Sequence, residues 1–197
     1  MPTLRLATPA DAAGCLALYA PVVRDTAISF EGEPPTESEF ANRIAATLEK
    51  RPWLVCTHGE EVLGYAYAAG HRERAAYGWC VEVSVYVAPE AQRRGVARAL
   101  YTALFAVLRT QGYANAYAGI ALPNEASLTL HRALGFEEVG VYRRAGYKLG
   151  RWHDVWWGAL DLLPDRTGEP APPRLLPALV GDGTLDAALA AGAALLR

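Results

Sequence analysis

Val81-Glu82-Val83-Ser84-Val85-Tyr86-Val87 runs, after a short connection, into Gln92-Arg93-Arg94-Gly95-Val96-Ala97, and this passage decides the fold. Its first half alternates with period two. The valines share one face, and Glu82, Ser84 and Tyr86 share the other, as on a half-buried strand. Past the turn, Ala97, Leu100, Tyr101, Leu104, Phe105 and Leu108 recur at helical spacing. A helix start carries unpaired N–H groups, and its dipole favours an anion. Gly95 and Ala97 are small enough to let a phosphate reach the main chain, and Arg93, Arg94 and Arg98 add positive charge. A pyrophosphate is the natural guest. An ordinary glycine-containing helix start with solvated arginines is the plainer alternative.

Upstream, residues 4–6 read as a first strand. Thr8-Pro9-Ala10-Asp11 opens a helix with a cap, a first-turn proline and an acid at the positive end. Thr36-Glu37-Ser38-Glu39 is a capping box for a second helix through Ile44 and Leu48. The stretch between, around Phe30, is irregular. Residues 53–56 and 62–68 flank a turn at His58-Gly59-Glu60 and read as a hairpin.

Downstream, residues 115–121 read as a strand and 124–134 as a helix. Residues 137–143 and 152–160 read as two closing strands. Five prolines from Pro164 to Pro177 then mark an extended tail, and Gly183-Thr184-Leu185-Asp186 starts a possible Ala-rich helix. The expectation is a mixed α/β domain over residues 1–163 and a Pro-rich tail over 164–197.

Bulk composition narrows the partners. The 197 residues are 52% hydrophobic and 20% charged, with a formal net charge of −2, as in a globular chain with a sizeable core. No block of Lys and Arg marks a nucleic-acid footprint, and no apolar run is long enough for an ordinary membrane helix. Cys15, Cys56 and Cys80 are odd in number and far apart, and the first residues lack the apolar region of a secretory signal. Reduced thiols in a cytoplasmic protein follow. His58, His71, His131 and His153 show no zinc-like spacing with the cysteines, so no metal is expected.

The strand followed by Gln92-Arg93-Arg94-Gly95-Val96-Ala97 resembles the first signature of the GNAT acetyltransferase superfamily. Asn124, Ser127, Leu130, His131, Gly135 and Phe136 resemble its second. Within the superfamily the chain is similar to the phosphinothricin / methionine sulfoximine N-acetyltransferase branch. The carrying segments are Arg51-Pro52-Trp53-Leu54-Val55, Gly64-Tyr65-Ala66-Tyr67-Ala68, Ala76-Tyr77-Gly78-Trp79, Leu122-Pro123-Asn124 and Gly146-Tyr147-Lys148-Leu149-Gly150-Arg151-Trp152-His153-Asp154-Val155. The resemblance spans roughly residues 3–163. Ala97 stands where many relatives have Gly, and His131 where the superfamily often has Tyr. It implies a GNAT fold, a mixed sheet of about seven strands with about four helices, and a homodimer in which Trp152, Trp156 and Trp157 offer interface area.

The resemblance also assigns roles. Acetyl-CoA is the donor, held by the main chain of Val85, Tyr86 and Val87, by the turn from Gln92 through Arg98, and by Asn124 and Ser127. Asn124 reads equally as a helix cap. Acetyl transfer needs a base for the amine and a donor for the departing sulfur. Glu82 is the candidate base and His131 the candidate donor, against a solvent-facing strand glutamate and a packing histidine. Arg72 and Arg74 match positions that grip the acidic end of a small amino-acid-like amine, a task suited to guanidinium, against the plainer alternative of two solvated arginines at a strand end. Phe30, Tyr86 and Tyr101 read either as walls of that pocket or as ordinary core, with core the stronger reading for Tyr101. The alternatives are transfer to a peptide or protein N-terminus, and a non-catalytic acyl-CoA sensor.

Overall fold

The computed structural model describes residues 1–181 and 183–196. Its strands are β1 (Thr3–Leu6), β2 (Trp53–His58), β3 (Glu61–Gly70), β4 (Cys80–Val87), β5 (Asn115–Ala121), β6 (Glu137–Lys148) and β7 (Arg151–Asp161). They form one sheet in the order β1-β2-β3-β4-β5-β7-β6, antiparallel except for the β4–β5 pair. The helices are α1 (Ala12–Asp25), α2 (Glu37–Leu48), α3 (Val96–Gln111), α4 (Glu125–Ala133) and α5 (Thr184–Ala193). The expected mixed sheet and flanking helices are present, with the tail helix as the fifth.

The alternation on β4 separates two cores. Val81 and Val83 pack with Leu100, Leu104 and Leu108 of α3. On the opposite face Tyr65 and Tyr86 join Cys15, Tyr19, Phe40, Ile44 and Trp53, brought by α1, α2 and β2. The Thr36 capping box forms as read, with Thr36 Oγ1 accepting from Glu39 N and Glu39 accepting from Thr36 N. Thr8 opens a 3-10 turn over Pro9–Asp11, and regular helix starts only at Ala12.

β6 continues to Lys148, beyond the expected end at Arg143. Its register with β7 shifts between Glu138 and Gly140 and again between Tyr142 and Gly146, and Arg144 sits at φ 48°. Each bulge breaks the period-two pattern, so the strand does not read as one.

The expectation for Trp156 also fails. Trp156 offers no interface area: it is 2% exposed within the α3-side core, and its indole N–H donates to Glu138. Trp157 turns to the other face, against Tyr142 and His71, and Trp152 alone of the three is well exposed.

The tail docks against the sheet-and-helix body. Gln111, 1% exposed, donates from Nε2 to the carbonyls of Lys50 and Arg174, and Trp79 donates to Ala171 O. Leu176, Leu179, Leu185 and Ala188 bury against Val107 of α3. Gly192 meets α3 so closely that a Cβ there would lie 2.5 Å from Ala99 O.

Candidate active site

The site begins where two strands part. β4 pairs with β3 from Val81 to Val87, but with β5 only where Cys80, Val81 and Glu82 face Asn115, Ala116 and Tyr117. β5 then continues along β7 as far as Ala121. From Val83 onward, among the described residues, the β5-facing edge of β4 has no strand partner, so its main-chain groups are open to a ligand. A cleft fills the wedge, lined by Val83 to Tyr86, Ala118 to Ala121, Asn124, Ser127, His131 and Tyr101. A second cavity of about 320 Å³ shares Ile28, Val83, Ser84, Gly119 and Ala121 with it. That cavity adds Glu82, Phe30, Tyr142 and Trp157. The two spaces therefore adjoin at these shared residues, and Glu82 lines only the second of them.

The turn at the mouth of α3 has the backbone expected of an anion seat. Arg93 (φ 59°) and Gly95 (φ 86°) are left-handed, and Gly95 is the N-cap. A glycine cap brings no side chain to occupy the first-turn N–H groups. Gln92, Arg93, Arg94 and Arg98 are exposed around them, Val96 is buried beneath, and Ala97 is partly covered. The turn after α5 lies against the same place, with Leu195 O 2.7 Å from where a Gly95 Cβ would stand.

On the α4 side, Asn124 is the N-cap: its Oδ1 accepts from Ser127 N at 3.2 Å. His131 is buried. Its Nδ1 lies 2.8 Å from Ser127 O, a carbonyl that can only accept, so the ring proton sits on Nδ1. Nε2 then accepts from the Tyr101 hydroxyl at 3.1 Å. Burial lowers the His131 pKa, only partly offset by the bond to Ser127, and burial pushes the Tyr101 phenol up. Tyr101 is core, the reading favoured for it in the sequence, and its hydroxyl also lines the cleft.

On the acceptor side, Glu82 is half-buried, and its Oε1 lies 2.9 Å from His71 Nδ1. Phe30 is exposed and packs on Gly146, where a Cβ would lie within 2.7 Å of the ring. The Phe30 loop is clasped from three sides. Lys148 Nζ donates at 2.6 Å to both Val23 O and Ser29 O, Tyr19 bonds to Ser29 Oγ at 2.7 Å, and Arg43 pairs with Glu31 at 2.7 Å. Tyr86 stacks on Tyr65 and meets Tyr19 edge-on. Arg72 and Arg74 are exposed on the β3–β4 loop, outside the lining of both cavities. His71 and Lys148 are the functional candidates missed in the sequence. Among the described residues, no three His, Cys, Asp or Glu side chains gather as for a metal ion. Among the described residues no helix is long and apolar enough to cross a membrane.

The strand, glycine-capped turn and helix expected from the first sequence signature are present, and the splay of β4 from β5 beside them is a further finding of the structure. Residues 4–157 match the acetyltransferase (GNAT) domain family. The chain belongs to the GNAT acetyltransferase family. The phosphinothricin N-acetyltransferase of Streptomyces viridochromogenes is 39% identical over 173 residues, covering 87% of this chain and 91% of that one. The L-methionine sulfoximine/L-methionine sulfone acetyltransferase of Pseudomonas aeruginosa is 36% identical over 170 residues, covering 84% and 97%. The crystal structure of a GNAT superfamily phosphinothricin acetyltransferase from Sinorhizobium meliloti in complex with AcCoA superposes with a TM-score of 0.81 at 34% identity, covering 86% and 93%. This acetyltransferase is accordingly an acetyl-CoA-dependent N-acetyltransferase, as the resemblance implied.

Proposed function

We propose that this acetyltransferase acetylates the primary amine of a small amino-acid-like molecule of the phosphinothricin, methionine sulfoximine or methionine sulfone type, with Glu82 as the base. The observation that carries this is the junction of the two spaces at Val83, Ser84 and Gly119, with Glu82 on one side and the Tyr101–His131 pair on the other. The names of the relatives support the acceptor class.

In this reading the turn from Gln92 to Arg98 receives the pyrophosphate of acetyl-CoA. The open edge at Val85, Tyr86 and Val87 pairs with the pantetheine arm, and Asn124 and Ser127 flank it. The amine enters past Phe30, Tyr142 and Trp157. Glu82 takes its proton, directly or through water. The amine nitrogen bonds to the thioester carbon, the C–S bond breaks with its electron pair leaving on sulfur, and the nitrogen's second proton passes to water on its way to that sulfur. His131 acts through Tyr101, whose hydroxyl turns its hydrogen bond from Nε2 to the departing thiolate, and water then protonates the sulfur. Arg72 and Arg74 reach from the neighbouring loop to the carboxylate of the acceptor.

Residues 1–163 form the catalytic domain, and 164–197 brace it through α3. Two copies join along the β6–β7 edge, where Val139, Tyr147, Leu149 and Trp152 are exposed. A reducing, cytoplasmic setting suits the free thiols of Cys15 and Cys56, which burial pushes up to about 12 and about 11.

The test is CoA release over a panel of phosphinothricin, methionine sulfoximine, methionine sulfone, ordinary amino acids and a short peptide. It is run on the wild type and on the Arg72→Ala and Arg74→Ala variants. The reading expects turnover of the first three and a raised KM for them in the arginine variants, with KM for acetyl-CoA unchanged. Preferred turnover of the peptide overturns it.

A further inference from the structure

His71 lies outside both cavities, yet it is the side chain most tightly held against the proposed base. The hairpin register explains why. Ala69 faces Glu82 across β3 and β4, so His71, two residues on, returns to the Glu82 face just past the strand end. Its ring lies nearly parallel to Tyr117, with centroids 4.4 Å apart at 17°. The edges of Tyr77 and Trp157 meet it at 5.8 and 6.2 Å. Three aromatic neighbours fix the plane of the imidazole, and its side chain is 11% exposed against 37% for Glu82.

Nδ1 and Oε1 are 2.9 Å apart. A lone pair on nitrogen facing a carboxylate oxygen would repel it, so the imidazole proton occupies Nδ1 and is donated to Oε1. That bond fixes one oxygen of Glu82 and leaves Oε2 as the one free to meet the amine in the cavity. The titratable groups facing the ring are the Glu82 carboxylate from β4, the Tyr117 phenol from β5 and the Tyr77 phenol from the loop turn.

We propose that His71 is a positioning residue: through the Nδ1–Oε1 bond it holds one carboxylate oxygen of Glu82 and aims the other at the acceptor amine. This inference rests on the reading of Glu82 as the base.

Two substitutions separate aim from packing, with kcat and KM measured at saturating partner substrate. His71→Phe keeps a ring on Tyr117 and removes the donor. It is expected to lower kcat about 10–100-fold, the usual cost of a misaimed group, with KM for acetyl-CoA unchanged. His71→Asn loses the ring but offers an amide donor, and it is expected to recover kcat to within a few-fold of wild type. If His71→Phe fails to fold, His71→Leu, which keeps apolar bulk and lacks the donor, is measured in its place. Wild-type turnover in the variant without a donor, or no recovery in His71→Asn, overturns the proposal. Glu82→Gln is measured beside them. An inactive Glu82→Gln with unaltered His71 variants sinks only the role of His71, whereas an active Glu82→Gln removes the base and this inference with it.

Discussion

The Lys148 ammonium donates a 2.6 Å hydrogen bond to the carbonyl of Ser29, 119 residues earlier in the chain. With its second bond to Val23 O it ties the β6–β7 hairpin to the loop that presents Ile28 and Phe30 to the cleft. Lys148→Met removes both bonds while keeping the apolar stem. A charge-assisted hydrogen bond contributes about 1.5–3 kcal/mol, which here would hold the loop in place. Steady-state kinetics should show KM for the amine rising roughly 10–100-fold on that basis, with KM for acetyl-CoA unchanged. Equal damage to both substrates would place Lys148 in the general fold instead.

His131 carries a pH signature in stability. Burial lowers its pKa, so the folded chain holds it neutral while the unfolded chain protonates it near its ordinary value of about 6.5. Folding stability is therefore fully present above about pH 6.5 and falls as pH drops from there toward the folded value. Asp11 and Asp154, whose pKa values are also lowered, lose their contribution only below the ordinary carboxylate value of 3.8. Thermal melts between pH 5 and 8 should show a falling Tm in the wild type and a flatter profile in His131→Asn. Parallel profiles would show that His131 is not the group responsible.

The phosphate turn predicts a loss confined to the coenzyme. Gly95 has φ 86°, a conformation costly for a branched side chain, and a Cβ there would press on Leu195 O. Gly95→Val should abolish the rise in Tm that acetyl-CoA gives the wild type. A chain ending at Ala193 lacks the Leu195 contact and should keep that rise, which separates the turn from the tail. Unaltered protection in Gly95→Val removes the turn from coenzyme binding.

The assembly is tested at Trp152. Its ring packs on Tyr147 across the β6–β7 hairpin, centroids 5.4 Å apart, and both are exposed. Light scattering at micromolar concentration should give a two-chain mass for the wild type and a one-chain mass for Trp152→Glu. A wild-type monomer ends the dimer proposal.

The passage from Val81 to Leu108 was legible because each step has a local cause: strand alternation, a glycine with positive φ, then a helical stripe. Asn124 was legible as a cap for the same reason. The rest depends on contacts that no local pattern encodes. His71 reaches Glu82 only through hairpin register, and Lys148 reaches Ser29 across most of the chain. The bulges in β6 hid its continuation to Lys148. Trp156 carries the same alternation parity as exposed Trp152, but its distance from the hairpin end places it over the core. The docking of the tail depends on Gln111, a buried polar side chain that nothing in its neighbouring sequence marks.

The central claim, that Glu82 takes the amine's proton at the junction of the two cavities, is tested most directly by the pH dependence of kcat in Glu82→Gln. The amide can still accept from His71, so the fold and the thermal shift given by acetyl-CoA should persist. Turnover at pH 7 should fall by about 10²–10⁴, the usual contribution of a positioned base, and the loss should shrink as pH rises and free amine becomes abundant. Near-wild-type turnover at neutral pH would contradict the claim, and a loss equally large at every pH would make Glu82 a holder of the substrate rather than its base.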